Sequence, residues 1–89
     1  MAPRYRVLLR PSVVREIQSL TARMRERVEG KIDGLGENPR PPGVKKLEGG
    51  EGRYRVRVGD WRILYVVDDA ARVVAVVKVG HRGDVYRSR

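Results

Sequence analysis

Cysteine is missing from these 89 residues, so disulfides, thiolate metal sites and cysteine nucleophiles are excluded. Histidine occurs once, at His81. A zinc centre or a hydrolytic triad that draws on several imidazoles therefore has little to build on. Phenylalanine is also absent, which leaves the core to valine, leucine and isoleucine, and a valine-rich set leans towards sheet. No apolar run approaches the roughly 20 residues that cross a bilayer. The opening Met-Ala-Pro-Arg-Tyr-Arg leads into an alternating pattern rather than a signal peptide. A soluble cytoplasmic protein with no membrane partner is expected. Internal repeats and low-complexity tails are absent too.

Positive charge is what the chain has in excess. Twenty Lys and Arg against eleven Asp and Glu give a net charge of +9 and a pI near 10.8. Basic side chains displace counterions from phosphates and steer association, so a polyanionic partner is indicated. A merely solubilising basic surface is the plainer alternative. The length suits one small core, and residues 1–89 are read as a single domain.

Tyr5 to Arg10 alternates as a strand, with Tyr5, Val7 and Leu9 on its core face. Pro11 suits the first turn of a helix, and Val13, Val14, Ile17 and Leu20 recur at helical spacing. Thr21 can cap a second helix carrying Met24, Val28, Ile32 and Leu35 on one stripe and stopping near Leu35. The Pro- and Gly-punctuated residues 36–43 read as a surface loop, and the glycines of residues 48–52 as a flexible approach to a strand beginning near Arg53. That glycine run lacks the GxxxxGK[ST] pattern of a nucleotide-binding loop.

Two alternating patterns, Arg53–Val58 and Trp61–Val67, meet at Gly59-Asp60, a strong two-residue hairpin signal. Asp68–Ala71 reads as a turn and Arg72–Val79 as a third strand, whose nearly continuous apolar run predicts burial on both faces. Residues 80–89 read as a loop and a short extension. The order predicts an α+β fold: an N-terminal strand, a two-helix hairpin, then a three-stranded antiparallel meander, with the helices packed on one sheet face.

The hairpin carries a charge problem. Alternation sends Arg53, Arg55 and Arg57 to one face, and a two-residue loop sets Arg57 opposite Arg62 on that same face. Like charges directly opposite each other destabilise a sheet. Such a face is either left in water or held for an anion. Trp61 and Tyr65 fall instead on the face of Tyr54, Val56 and Val58, as core or hairpin-pair aromatics.

Taken together, Lys46-Leu47-Glu48-Gly49, Tyr54 to Val58, Gly59 to Tyr65 and Val79 to Tyr86 resemble the RelE/ParE superfamily of toxin-antitoxin toxins, and within it the RelE-like mRNA interferases. The resemblance covers most of the chain. It implies a type II toxin that cuts mRNA in the ribosomal A site without metal or other cofactor: the substrate's 2′-hydroxyl attacks the neighbouring phosphate. It also implies a RelB-like antitoxin, acidic and encoded alongside, in a hetero-oligomer with the toxin, and the ribosome with its mRNA as target.

Carried over by position, Arg62 corresponds to the hairpin arginine at the scissile phosphate, Arg82 to the arginine after the last long strand, and Tyr86 to the aromatic that orients or deprotonates the attacking hydroxyl. Arg55 and Arg57 stand where such toxins commonly have lysines. Arginine does not serve as a base, so Arg57 reads as an electrostatic clamp and the proton falls to Tyr86 or His81. Lys45, Lys46, Arg53, Arg87 and Arg89 read as contacts to RNA or the ribosome. A ParE-like inhibitor of DNA gyrase and an inactive RNA-binding relative are the alternative functions.

Overall fold

The computed structural model describes residues 4–81. Seven elements occur in order: β1 (Arg6–Leu9), α1 (Pro11–Gln18), α2 (Ala22–Glu37), β2 (Lys45–Lys46), β3 (Arg53–Val58), β4 (Trp61–Asp68) and β5 (Val73–His81). Pro11 opens α1, where its missing N–H costs nothing. The Thr21 hydroxyl caps α2 by accepting from the Met24 amide at 3.2 Å. That helix runs past Leu35 to Glu37 in spite of its glycines.

The five strands form one sheet in the order β1-β5-β4-β3-β2. β3, β4 and β5 make the expected antiparallel meander, and β1 returns to pair parallel with β5. Such a parallel pair needs a long crossover, which the two helices begin. Both helices pack on one face of the sheet, as expected. Val13, Ile17 and Leu20 join Val28, Ile32 and Leu35 over Val56, Val58, Ile63, Tyr65, Val67, Val74, Val76 and Val79, all buried.

Several local expectations are corrected. Leu9 and Val14 are 39% and 40% exposed, because β1 is a four-residue edge strand and α1 turns only the Val13–Ile17 side inward. β5 is flanked by strands on both sides, but the helices cover only one of its faces. Val74 and Val76 are therefore buried, while Val73, Ala75 and Val77 are half-buried. The approach to the hairpin contains β2, whose two lysines pair with Tyr54 and Arg55 and shield part of the β3 edge. Gly80 and His81 continue β5 rather than forming a loop.

The hairpin has the predicted register: Val58 lies opposite Trp61 and Arg57 opposite Arg62. Gly59, at φ 59°, supplies the left-handed backbone that the tight turn requires.

Candidate anion-binding face

Cross-strand neighbours in register share a sheet face, so the pairing map lays out the surface opposite the helices. One row runs Lys45, Arg55, Leu64, Lys78 across four strands. The next runs Arg57, Arg62, Gly80, and a third begins Arg53, Val66, Ala75. The sequence therefore concentrates cations at the hairpin end of this face, with Leu64, Val66 and Ala75 as its apolar floor.

Arg62 is the centre of the arrangement. It is the buried charged residue among the described residues, 9% exposed, with Arg57 on one side and the side-chain-free Gly80 on the other. Its Nη1 donates to the Trp61 carbonyl at 3.5 Å, and its buried Nε has no hydrogen-bond partner among the described residues. Among the described residues no carboxylate forms an ion pair with Arg57 or Arg62. An unsatisfied buried donor costs about 1–3 kcal/mol, and a like-charge pair opposite it adds a few tenths or more. Against a total stability of about 5–15 kcal/mol, this is a substantial local cost. Nothing among the described residues offsets this cost, which makes Arg62 a candidate for holding an external anion.

Of the other expected RNA contacts, Arg53 and Lys45 lie on this face, and Lys46, in register with Tyr54, turns to the opposite one. His81 is in register with Trp61, not Arg62, and its ring meets the indole edge-on at 5.6 Å. Since Trp61 pairs with Val58 on the helix side of the sheet, the register separates His81 from the arginine face. Arg82, Tyr86, Arg87 and Arg89 lie outside the described residues.

Two features were not found in the sequence. The register puts Lys78 on the cationic face, while its ammonium lies at the edge of β5, 2.6 Å from the Glu16 carboxylate of α1. As the lone charged residue in an apolar strand, it had a signal to offer. The other is a clamp at the opposite end of the sheet. Arg40 reaches both Asp69 oxygens, at 2.8 and 3.2 Å, and donates from Nε to the Tyr54 hydroxyl at 2.9 Å. Tyr5 donates to Asp69 at 2.5 Å, while Tyr65, stacked on Tyr54, donates from its buried hydroxyl to the Pro39 carbonyl at 2.7 Å. This network ties the 38–44 loop and the strand ends to the sheet, and nothing in a proline-rich loop announces it.

Hydrogen bonds from Arg40 and then Tyr5 hold the Asp69 carboxyl below its ordinary value. Burial pushes the Tyr65 phenol up. Because the folded-state value of Asp69 is depressed, its contribution is present above about pH 4, the unfolded carboxylate value, and fades as pH falls through the folded one. Asp69→Ala should therefore lower the melting temperature at pH 6, and the gap from wild type should narrow towards pH 3. A gap independent of pH would contradict the charged clamp.

Comparison with known proteins identifies the family. The family model of the ParE toxin of type II toxin-antitoxin systems, parDE, matches residues 7–86. A RelE-like toxin protein of Escherichia coli is 33% identical over 87 residues, covering 93% of this chain and 90% of that one. The RelE-RelB complex of Pyrococcus horikoshii OT3 superposes with a TM-score of 0.81 at 35% identity, over 90% of this chain and 97% of that one. The isolated E. coli RelE toxin gives 0.76 at 29%, over 93% and 92%. The solved structures share the fold, and the family model and the relative match most of the sequence: the chain belongs to the RelE/ParE family of type II toxin-antitoxin toxins.

Proposed function

We propose that this toxin is an endoribonuclease that cuts mRNA in the ribosomal A site, and that its arginine face holds the scissile phosphate. The observation that carries the reading is Arg62, a buried guanidinium set opposite a second arginine, with no carboxylate among the described residues to neutralise either. In the reaction the 2′-oxygen bonds to phosphorus as its proton passes to a base, and the bond to the 5′-oxygen breaks as that oxygen takes a proton from water. The products are a 2′,3′-cyclic phosphate and a 5′-hydroxyl end. The pentacoordinate phosphate carries extra negative charge, which preorganised guanidinium donors stabilise more than they do the ground state.

Arg62 is assigned to the phosphate oxygens, with Arg57 and Arg55 as flanking cations. Arg53 and Lys45 extend the track for the RNA backbone. Arg82 and Tyr86, which come after β5 in sequence, complete the site in this reading. The register of His81 turns it towards Trp61, which leaves Tyr86 as the group assigned to the 2′-hydroxyl proton. The reaction draws on no metal.

The partner that restrains it is a RelB-like antitoxin, since the P. horikoshii neighbour is a RelE-RelB complex. Acidic antitoxin side chains over the arginine face would neutralise its charge. A groove of about 520 Å³ between α2 and the hairpin, rimmed by Arg27, Lys31 and Arg57, offers a second surface of the same sign.

The test is cleavage of mRNA on programmed ribosomes by the purified toxin. The products should carry 5′-hydroxyl and cyclic phosphate ends, and a single 2′-deoxy substitution at the cut position should block cleavage there. Cleavage that survives the 2′-deoxy substitution would refute the mechanism. The family model is named for ParE, so gyrase inhibition is the competing reading. Intact mRNA together with accumulated gyrase–DNA cleavage complexes would establish it instead.

A further inference from the structure

Lys78 belongs to the same face as the arginines yet had no part in the expected site. It is in register with Leu64 and, through Leu64, with Arg55, while the next position on its face, Gly80, sits beside Arg62. Lys78 and Arg62 are thus diagonal neighbours, at a backbone separation of about 7–8 Å that long side chains span. Gly80 adds no side chain between them on that row.

Glu16 of α1 tethers the Lys78 ammonium at the open edge of β5. One Glu16 oxygen accepts from the Val79 amide at 2.9 Å, and the other meets the Lys78 ammonium at 2.6 Å. The reason lies in β1, whose pairing with β5 ends at Leu9 and Val76, so the Val79 N–H has no strand beside it and α1 supplies a side chain instead. The carboxylate is therefore anchored by the backbone whether or not Lys78 touches it. A structural ion pair closing the sheet edge is the simpler account. That account needs only a donor at the edge and does not explain why that donor is a lysine whose register is that of the arginine face.

We propose that Lys78 is a further phosphate-contacting residue of this site, positioned by Glu16 so that it and Arg62 grip the RNA backbone from adjacent rows. An ammonium has three donors and Glu16 takes one, which leaves donors for phosphate oxygens. The arginines around it match planar bidentate contacts, whereas Lys78 acts as a compact point charge on a flexible stem that can track the backbone.

This inference rests on the ribonuclease reading, and the experiment keeps the two apart. Binding of a short single-stranded RNA, made uncleavable by 2′-deoxy substitution, is measured across a salt series for wild type, Lys78→Met and Lys78→Arg, with melting temperature as the check on folding. A lost phosphate contact lowers the slope of log affinity against log salt by about 0.7 on single strands. Lys78→Met should show that drop and cleave more slowly on ribosomes, while Lys78→Arg should keep the wild-type slope. A folded Lys78→Met with an unchanged slope would overturn the inference and leave the ribonuclease reading standing. If Lys78→Met does not fold, Lys78→Gln supplies the same neutral comparison. Wild-type protein that neither binds nor cuts RNA would overturn both.

Discussion

Arg62→Met should lower cleavage of ribosome-bound mRNA by about 10²–10³-fold, the usual loss when one preorganised donor to a developing oxyanion is removed. The same substitution should leave the melting temperature unchanged or raise it. Arg62 is 9% exposed, faces Arg57 and leaves its Nε unpaired among the described residues, so a methionine of comparable length removes repulsion and an unsatisfied donor. Replacing buried ionic groups with packed apolar ones is often neutral or stabilising. The combination is diagnostic: a structural arginine would lose stability and activity together. Circular dichroism melts and single-turnover cleavage on the same preparations check both halves.

Gly52→Ala should be the most damaging small substitution for stability, at about 1–3 kcal/mol for the strained backbone alone. Gly52 has φ 73°, and an added Cβ would lie 2.4 Å from the Val67 carbonyl oxygen, which belongs to rigid backbone in β4. The Val67 amide donates to the Gly52 carbonyl at 2.7 Å, so relieving the clash strains the bond that starts the β3–β4 ladder. Arg53 is the next residue, and a shift there would displace the arginine rows. Chemical denaturation should show a reduced midpoint, with cleavage falling in proportion to the native fraction. By contrast, Gly34→Ala meets nothing within 4 Å and should stabilise α2, by up to about 1 kcal/mol.

Much of the fold was legible because its signals are local. Period-two alternation around Gly59-Asp60 specified the hairpin register and with it the Arg57–Arg62 opposition. Thr21 and Pro11 marked helix starts by chemistry that needs no tertiary context. The misses are of another kind. Leu9 and Val14 are apolar at the right spacing and still exposed, because exposure depends on what lies beyond the sheet edge. β2 is two residues long and held only by its partner strand. The Arg40–Asp69 clamp joins groups 29 positions apart, and Glu16 meets Val79 across 63. Periodicity carries no information about such distant pairings.

The candidate site divides along the same line. Alternation grouped Arg53, Arg55, Arg57 and Arg62, and the pairing map keeps them on one face. His81 is sequentially beside Arg82, but the β4–β5 register takes it to the Trp61 side, since one step along a strand reverses the face. Lys78 joins the arginines by a shift in the pairing of β5 with β4 at Leu64 and Tyr65. Without that irregularity, alternation from Val74 and Val76 would send Lys78 to the core.

Whether this arginine face cuts mRNA is decided by mapping RNA 5′ ends after brief induction, in matched strains carrying wild type and Arg62→Met. New 5′-hydroxyl ends within translated codons are expected for wild type and none for the variant. Growth arrest with intact mRNA, or the same ends from the Arg62→Met strain, would refute the assignment.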